Sequence, residues 1–195
     1  MSRATNPTSK ADLRSAALAK RDALSDKKRA AAAKALASRG LPIAIAPGTV
    51  VAGYSPIRNE IDPFPLMRTL AAQGARLALP AVMARGKSLA FRAWSVDDRL
   101  TLGPLGIPEP SPAAAEILPD IVLLPLAAFD RAGHRVGYGA GHYDFTLAHL
   151  RKLKPVAAIG LAFALQEIEL VPALSHDVAL DYVLTEAKVF DFRSS

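Results

Sequence analysis

The stretch "DIVLLPLAAFDRAGHRVGYGAGHYDFTLAHLRKL", from Asp120 to Leu153, decides the fold. It begins with "DIVLLP" (Asp120 to Pro125), a continuous apolar run of the length of a buried strand. It ends with "YDFTLAHLRKL" (Tyr143 to Leu153), whose apolar residues recur at helical spacing. "VAAIGLAF" (Val156 to Phe163) follows as a second buried strand. Strand, helix and strand, with the strands apolar throughout, predict parallel pairing in a sheet covered on both faces. Between the first strand and the helix fall four glycines, Gly133, Gly137, Gly139 and Gly141. That loop lies at the carboxyl end of a strand, where such sheets bind ligands.

The rest of the chain repeats the alternation. Ser9 is placed to cap a helix with Asp12 in its first turn, Ser25 to restart a second alanine-rich helix, and Gly40 to stop it near Arg39. "TVVAGY" (Thr49 to Tyr54) reads as a buried strand. In "DPFPLMRTLAAQG", Asp62 reads as a cap, Pro63 as the first helical residue and Gly74 as the stop. "RLALP" (Arg76 to Pro80), "LAFRAW" (Leu89 to Trp94) and "YVLTE" (Tyr182 to Glu186) complete the strands, with Phe91 and Trp94 in the core. "LGPLGIPEPSP" (Leu102 to Pro112) is expected as a loop. No internal repeat is present. The expectation is one α/β domain over residues 1–195, a Rossmann-like three-layer sandwich with a mostly parallel sheet and an N-terminal helical segment.

Composition narrows the function classes. Of 195 residues, 51% are hydrophobic and 22% charged, as in an ordinary globular protein. The net charge of +6 (24 − 18) favours an anionic partner: nucleotide, polyanionic metabolite, nucleic acid or acidic lipid. No cysteine occurs, which excludes disulfides, thiolate metal sites and a cysteine nucleophile. "MSRATNPTSK" lacks the apolar core of a secretory signal, and "IVLLPLAAF" (Ile121 to Phe129) is far shorter than the ~20 residues of a membrane helix. A cytoplasmic protein, with no membrane partner, is the simplest expectation.

The glycine loop matches none of three well-known motifs. No P-loop string G-x-x-x-x-G-K-[ST] occurs, and no G-x-S-x-G hydrolase elbow. Gly137, Gly139 and Gly141 give G-x-G-x-G, but His142 stands where a dinucleotide fingerprint needs glycine. The physics of phosphate binding does not depend on those names. Closely spaced glycines let successive N–H groups converge on an anion, the following helix adds its positive end, and Arg135 offers a fork of donors. Asp144 suits a site where Mg²⁺ bridges carboxylate and phosphate. The same residues also fit a series of turns with a first-turn carboxylate.

Other positions leave alternatives open. Lys10 and Arg14 share a helix face, where like charges repel by a few tenths of a kcal/mol unless an anion binds between them. Glu60, in the strand-end loop "GYSPIRNEID", fits either an amino-substituted ring or a helix start. "SHDVALD" offers His176, Asp177 and Asp181, and the four histidines show no zinc spacing. Few aromatic residues are available for base stacking, and no nucleic-acid signature is present.

Taken together, "AFDRAGHRVGYGAGHYD", "YSPIRNEI", "GIPEP", "KADLR" and "HDVALDYVLTE" resemble the 5-formyltetrahydrofolate cyclo-ligase (methenyltetrahydrofolate synthetase) family over Lys10 to Glu186. The resemblance implies ATP- and Mg²⁺-dependent closure of 5-formyltetrahydrofolate to 5,10-methenyltetrahydrofolate by a monomeric enzyme, without nucleic acid. ADP and phosphate would be released. It implies that Lys10, Arg14, Arg135, Val136, Gly137, Tyr138, Gly139, Ala140, Gly141, His142 and Tyr143 bind ATP. Arg135 and Tyr143 would be catalytic. Ser55, Glu60, Tyr138, Gly139, Ala140, Gly141 and His142 would bind the folate, and Asp144 and Asp177 the Mg²⁺. Many members of the family carry Tyr or Phe where this chain has His142.

Overall fold

A computed structural model describes residues 9–83, 87–174 and 177–193. Ser175, His176 and the N-terminal eight residues, part of the stretch read above as no secretory signal, lie outside the described residues. Two helices open the fold, α1 (Lys10–Asp22) and α2 (Asp26–Arg39). Ser9 Oγ accepts the Asp12 N–H at 3.2 Å while Asp12 reaches back to the Ser9 N–H, closing a capping box. Ser25 caps α2 through the Lys28 N–H, and Gly40 ends it with φ 72°.

Then follow β1 (Val50–Ala52), α3 (Phe64–Ala72), β2 (Arg76–Ala81) and β3 (Ala90–Ala93). Next are β4 (Thr101–Leu102), β5 (Pro108–Glu109), β6 (Ile121–Pro125), β7 (Ala128–Phe129) and β8 (Arg135–Val136). The chain closes with α4 (His142–Leu153), β9 (Ala157–Leu161), a 3₁₀ turn (Ala164–Gln166), β10 (Tyr182–Leu184) and β11 (Val189–Asp191).

Seven strands form one sheet in the order β11-β10-β9-β6-β1-β2-β3. The five central strands pair in parallel, and β3 and β11 pair antiparallel at the two edges. Successive residues face opposite layers, as a pleated strand requires. Val51, Leu123 and Ile159 pack with Leu36 of α2 and Leu66 and Leu70 of α3. Ala52, Val122 and Ala158 pack with Leu147 and Leu150 of α4. The continuous apolar runs are therefore explained by two covered faces. Phe91 and Trp94 are buried as expected. No helix among the described residues is long and apolar enough to cross a membrane.

Three boundaries differ from the sequence reading. Helix α3 begins at Phe64, with Pro63 at the cap position. Asp62 Oδ1 accepts the Phe64 N–H at 2.9 Å, so the carboxylate acts two residues ahead of itself and shifts the start by one residue. The proline-rich stretch from Leu102 is not wholly a loop: Thr101 pairs Glu109 and Leu102 pairs Pro108 in a short hairpin. Part of the glycine segment is also a hairpin, β7 on β8. Asp181 ties β9 to α4: its Oδ2 accepts the Ala158 N–H at 2.6 Å and pairs Arg151 at 2.7 Å.

Candidate active site

The connection from β1 leads to β2 on one side, while β6 lies on the other, so the chain reverses direction across the sheet at β1 and β6. A crevice at the carboxyl ends of such a strand pair is the usual ligand position in an open α/β sheet. A cavity of about 420 Å³ occupies it. Tyr54 and Ser55 enter from the end of β1, Pro125 from the end of β6, and Pro80 and Val82 from the end of β2.

The β7–β8 hairpin forms the next wall. Its tip is held by Asp130, 1% exposed, whose carboxylate accepts the N–H groups of Ala132, His134 and Val171 at 2.9–3.0 Å. This buried anion is a structural staple, satisfied by backbone donors. It delivers Arg135 and the glycine run beneath α1. Arg135 is 7% exposed, and its Nη2 donates to Asp144 Oδ1 at 2.6 Å while Nη1 donates to the Val178 carbonyl. Burial draws the guanidinium pKa down, and Asp144 and Asp177 oppose that, so the group remains a cation.

Two glycines of the run carry distinct constraints. Gly139 has φ 95°, a region that other residues enter only with strain, and Arg14 lies against it. Gly137 has no such angle, and a Cβ built on it meets no heavy atom within 4 Å. Because Gly137 lines the cavity, a side chain there would occupy ligand space rather than protein. Gly141 caps α4 with φ 68°, leaving the first helical N–H groups without intrahelical acceptors.

Helix α1 supplies the cations. Arg14 Nε donates to the Gly137 carbonyl at 2.6 Å, and Lys10 pairs with Asp177, whose carboxylate also accepts the Leu174 N–H. Lys10 and Arg14 thus both line the cavity. Asp144 and Asp177 both line the cavity, each already beside a cation. No cluster of three or more His, Asp or Glu placed to hold an ion occurs among the described residues.

The other end of the cavity is apolar, walled by Tyr54, Ile57, Val82, Leu105 and Ile107. Glu60 lies in it, 8% exposed, with Oε2 accepting the Ile57 N–H at 2.8 Å. Burial pushes its carboxyl above the ordinary range, against the Ile57 N–H, Tyr138 and the guanidiniums of Arg21 and Arg58. Burial likewise raises the phenols of Tyr138 and Tyr143, with Glu60 adding to both, so each stays a neutral donor. Ser55 Oγ donates to the Pro108 carbonyl at 2.5 Å, tying the β4–β5 hairpin to the end of β1. His142 Nδ1 lies 3.0 Å from the Lys87 carbonyl, and its Nε2 is buried without a partner among the described residues.

All the residues expected from the sequence therefore converge on one cavity except Val136. That side chain is fully buried with Ala17, Ala128 and Val171, because β8 turns alternate residues inward and outward. Two residues escaped sequence reasoning. Glu109, 5% exposed, lines the cavity and accepts the Val82 N–H at 3.1 Å; its only signal was its place in "GIPEP". Arg21 is buried behind Tyr138, and nothing in its local sequence marks it.

Comparison with known proteins identifies the family. The model of the 5-formyltetrahydrofolate cyclo-ligase family matches residues 6–186. A 5-formyltetrahydrofolate cyclo-ligase of Mycolicibacterium smegmatis is 36% identical over 190 residues, covering 92% of this chain and 95% of its own. The Escherichia coli enzyme of that name is 32% identical over 147 residues, covering 73% and 80%. The solved structure of Aquifex aeolicus 5,10-methenyltetrahydrofolate synthetase superposes with a TM-score of 0.77 at 29% identity, covering 95% of this chain and 94% of that one. The chain belongs to the 5-formyltetrahydrofolate cyclo-ligase family.

Proposed function

We propose, from that membership as premise, that this chain closes 5-formyltetrahydrofolate to 5,10-methenyltetrahydrofolate, consuming ATP and releasing ADP and phosphate. The observation that supports this reading is the two-ended cavity. One end is apolar with a buried carboxylate, Glu60, suited to a flat heterocycle that carries N–H donors. The other has a side-chain-free backbone at Gly137 and three cations, Lys10, Arg14 and Arg135, suited to a polyphosphate.

The chemistry needs both ends together. A formamide carbon is a poor electrophile because its oxygen is a poor leaving group. The formyl oxygen attacks the γ-phosphorus of ATP, the P–O bond to ADP breaks, and an imidate phosphate forms. The substrate's own N10 then attacks the formyl carbon, the C–O bond breaks, and phosphate departs as N10 loses its proton. No protein nucleophile is required, in keeping with the absence of cysteine and of a serine elbow. The chain's work is positioning and charge stabilisation. Amides of the glycine run and the start of α4 hold the phosphates, Arg14 and Lys10 offset their charge, and Arg135 with the neutral Tyr143 phenol donates to the oxygen that gains charge. Glu60 orients the pteridine.

Asp144 and Asp177 would hold Mg²⁺ together with phosphate oxygens, a donor set of the kind this ion prefers. When bound, it supplies further neutralisation of the transferring phosphoryl group. Mixing the protein with 5-formyltetrahydrofolate, ATP and Mg²⁺ should generate the near-ultraviolet absorbance of the methenyl product in step with ADP. Folded protein that forms neither would overturn the reading.

A further inference from the structure

Glu109 stands on β5 at the apolar end of the cavity, and the reaction scheme above gives it no role. It is 5% exposed, and a carboxylate that loses its water needs donors or a cation in exchange. Among the described residues one donor reaches that carboxylate, the Val82 N–H, which gives to Oε1 at 3.1 Å, and no cation pairs with it. An ionised carboxylate accepts about four hydrogen bonds, so most of its capacity is unused. The side-chain atoms sealed away without a partner, among the described residues, are His142 Nε2 and Tyr182 Oη. Glu109 Oε2 is not one of them, and its opening is the cavity that the residue lines.

The β4–β5 hairpin is shaped around this carboxylate. A Cβ built on Gly103 would lie 2.2 Å from the Glu109 carboxyl carbon and 2.3 and 2.6 Å from its oxygens. Glycine leaves room there that any other residue would fill. Ser55 Oγ, at the end of β1, donates to the carbonyl of Pro108, the residue before Glu109. That bond holds β5 against the strand whose following loop carries Glu60. Accepting the Val82 N–H alone would need only a neutral acceptor such as glutamine. A carboxylate kept at this depth points to donors that arrive with a ligand.

Glu60 likewise uses one oxygen on a backbone N–H, that of Ile57 at 2.8 Å, but it stands on the loop after β1 rather than on the hairpin. Two carboxylates from two elements suit a flat ring with N–H donors on two edges. A tetrahydropteridine has them: N3–H and the 2-amino group on the pyrimidine edge, and N8–H on the reduced ring. In a fully oxidised pteridine N8 carries a lone pair instead, which a carboxylate repels. Resting on the reading that this end of the cavity receives the folate, we propose that Glu109 is a second pteridine-binding residue. Glu60 holds the pyrimidine edge, and Glu109 accepts N8–H and so selects the reduced ring.

The test measures binding without turnover. 5-Formyltetrahydrofolate and folic acid are titrated calorimetrically, without ATP, into the parent chain, E109Q and G103A, each beside a thermal melt. E109Q removes the charge but keeps an acceptor for the Val82 N–H, whereas G103A keeps the charge and displaces it. Both should weaken 5-formyltetrahydrofolate by about 10- to 150-fold, as expected for loss of one charge-assisted hydrogen bond. Folic acid should bind E109Q at least as tightly as the parent, because the amide can donate to N8. ATP affinity, titrated separately, should stay within about twofold. Unchanged affinity for the reduced ligand in folded E109Q overturns the role, and so does an equal loss for both ligands. If E109Q does not fold, G103A decides: weakening of the reduced ligand alone supports the role, and weakening of both or neither overturns it. Loss of the preference for the reduced ring in E109Q, in a protein whose parent forms no methenyl product with ATP and Mg²⁺, supports Glu109 and removes the proposed activity. A parent chain that binds neither ligand overturns both.

Discussion

Gly137→Ala separates binding from folding more cleanly than any other substitution in the site. The added Cβ meets no heavy atom within 4 Å, and the φ there lies outside the left-handed region that strains a side chain. Removing a glycine also narrows the unfolded ensemble, so stability should be unchanged or rise by roughly 0.4–1 kcal/mol. The methyl group instead enters the space in which a phosphate oxygen would approach the backbone. Displacing that oxygen by about 1 Å would cost one or two charge-assisted hydrogen bonds at roughly 1.5–3 kcal/mol each. ATP affinity should fall by about 10- to 150-fold for one bond and further for two. Calorimetric titration with ATP and Mg²⁺, beside a thermal melt of the unliganded chains, measures both terms. Wild-type affinity in a folded Gly137→Ala protein would refute the close backbone approach. A loss of more than about 1 kcal/mol in stability would refute the open space at Gly137.

Three further outcomes follow from the same geometry. Arg14→Ala removes the bond to the Gly137 carbonyl and one cation, so the ATP dissociation constant should rise by roughly 10- to 150-fold in the same titration. An unchanged value would sink the phosphate role. Leu123→Ala, at a fully buried position, should cost about 2–5 kcal/mol, read as a lower urea midpoint at constant slope. The raised carboxyl of Glu60 sets a pH dependence of known sign. The folded protein binds that proton more tightly than the unfolded chain, whose carboxyl titrates near about 4.3. Glu60 therefore disfavours folding increasingly as pH rises from there through its folded value. The stability of E60Q relative to wild type should be greater at pH 8 than at pH 4, and an equal difference at both would contradict a burial cost.

Much of the fold was legible because its determinants are local. Ser9 with Asp12, Ser25 and Gly40 mark helix ends through atoms within four residues, and all three hold. The apolar runs at β1, β6 and β9 read as buried parallel strands because each really is covered on both faces. The two-residue strands β4, β5, β7 and β8 are too short to show any alternation, and their hairpins are held by distant contacts, Ser55 to Pro108 for one and Asp130 to Val171 for the other. Spacing suggested that the glycine run is either a phosphate loop or a series of turns, and the cavity gathers it with Lys10 and Arg14. Arg21 was invisible for a physical reason. In "AKRDALSDKKR" an arginine looks like part of a solvated charged face, and its burial depends on a tyrosine 117 residues away.

Helix α1 touches the site at Gly137, Tyr138 and Asp177, yet of its thirteen residues only Ala17 and Arg21 are buried. The sheet by contrast is sealed by layers of Leu, Ile and Val. Elements with little buried apolar surface open at lower free energy than the core they rest on. The latch that assembles the two halves of the cavity is thus more weakly fastened than the frame it closes. Binding of either substrate would report on the latch before it reported on the frame, and amide exchange in α1 should slow first when ligand arrives.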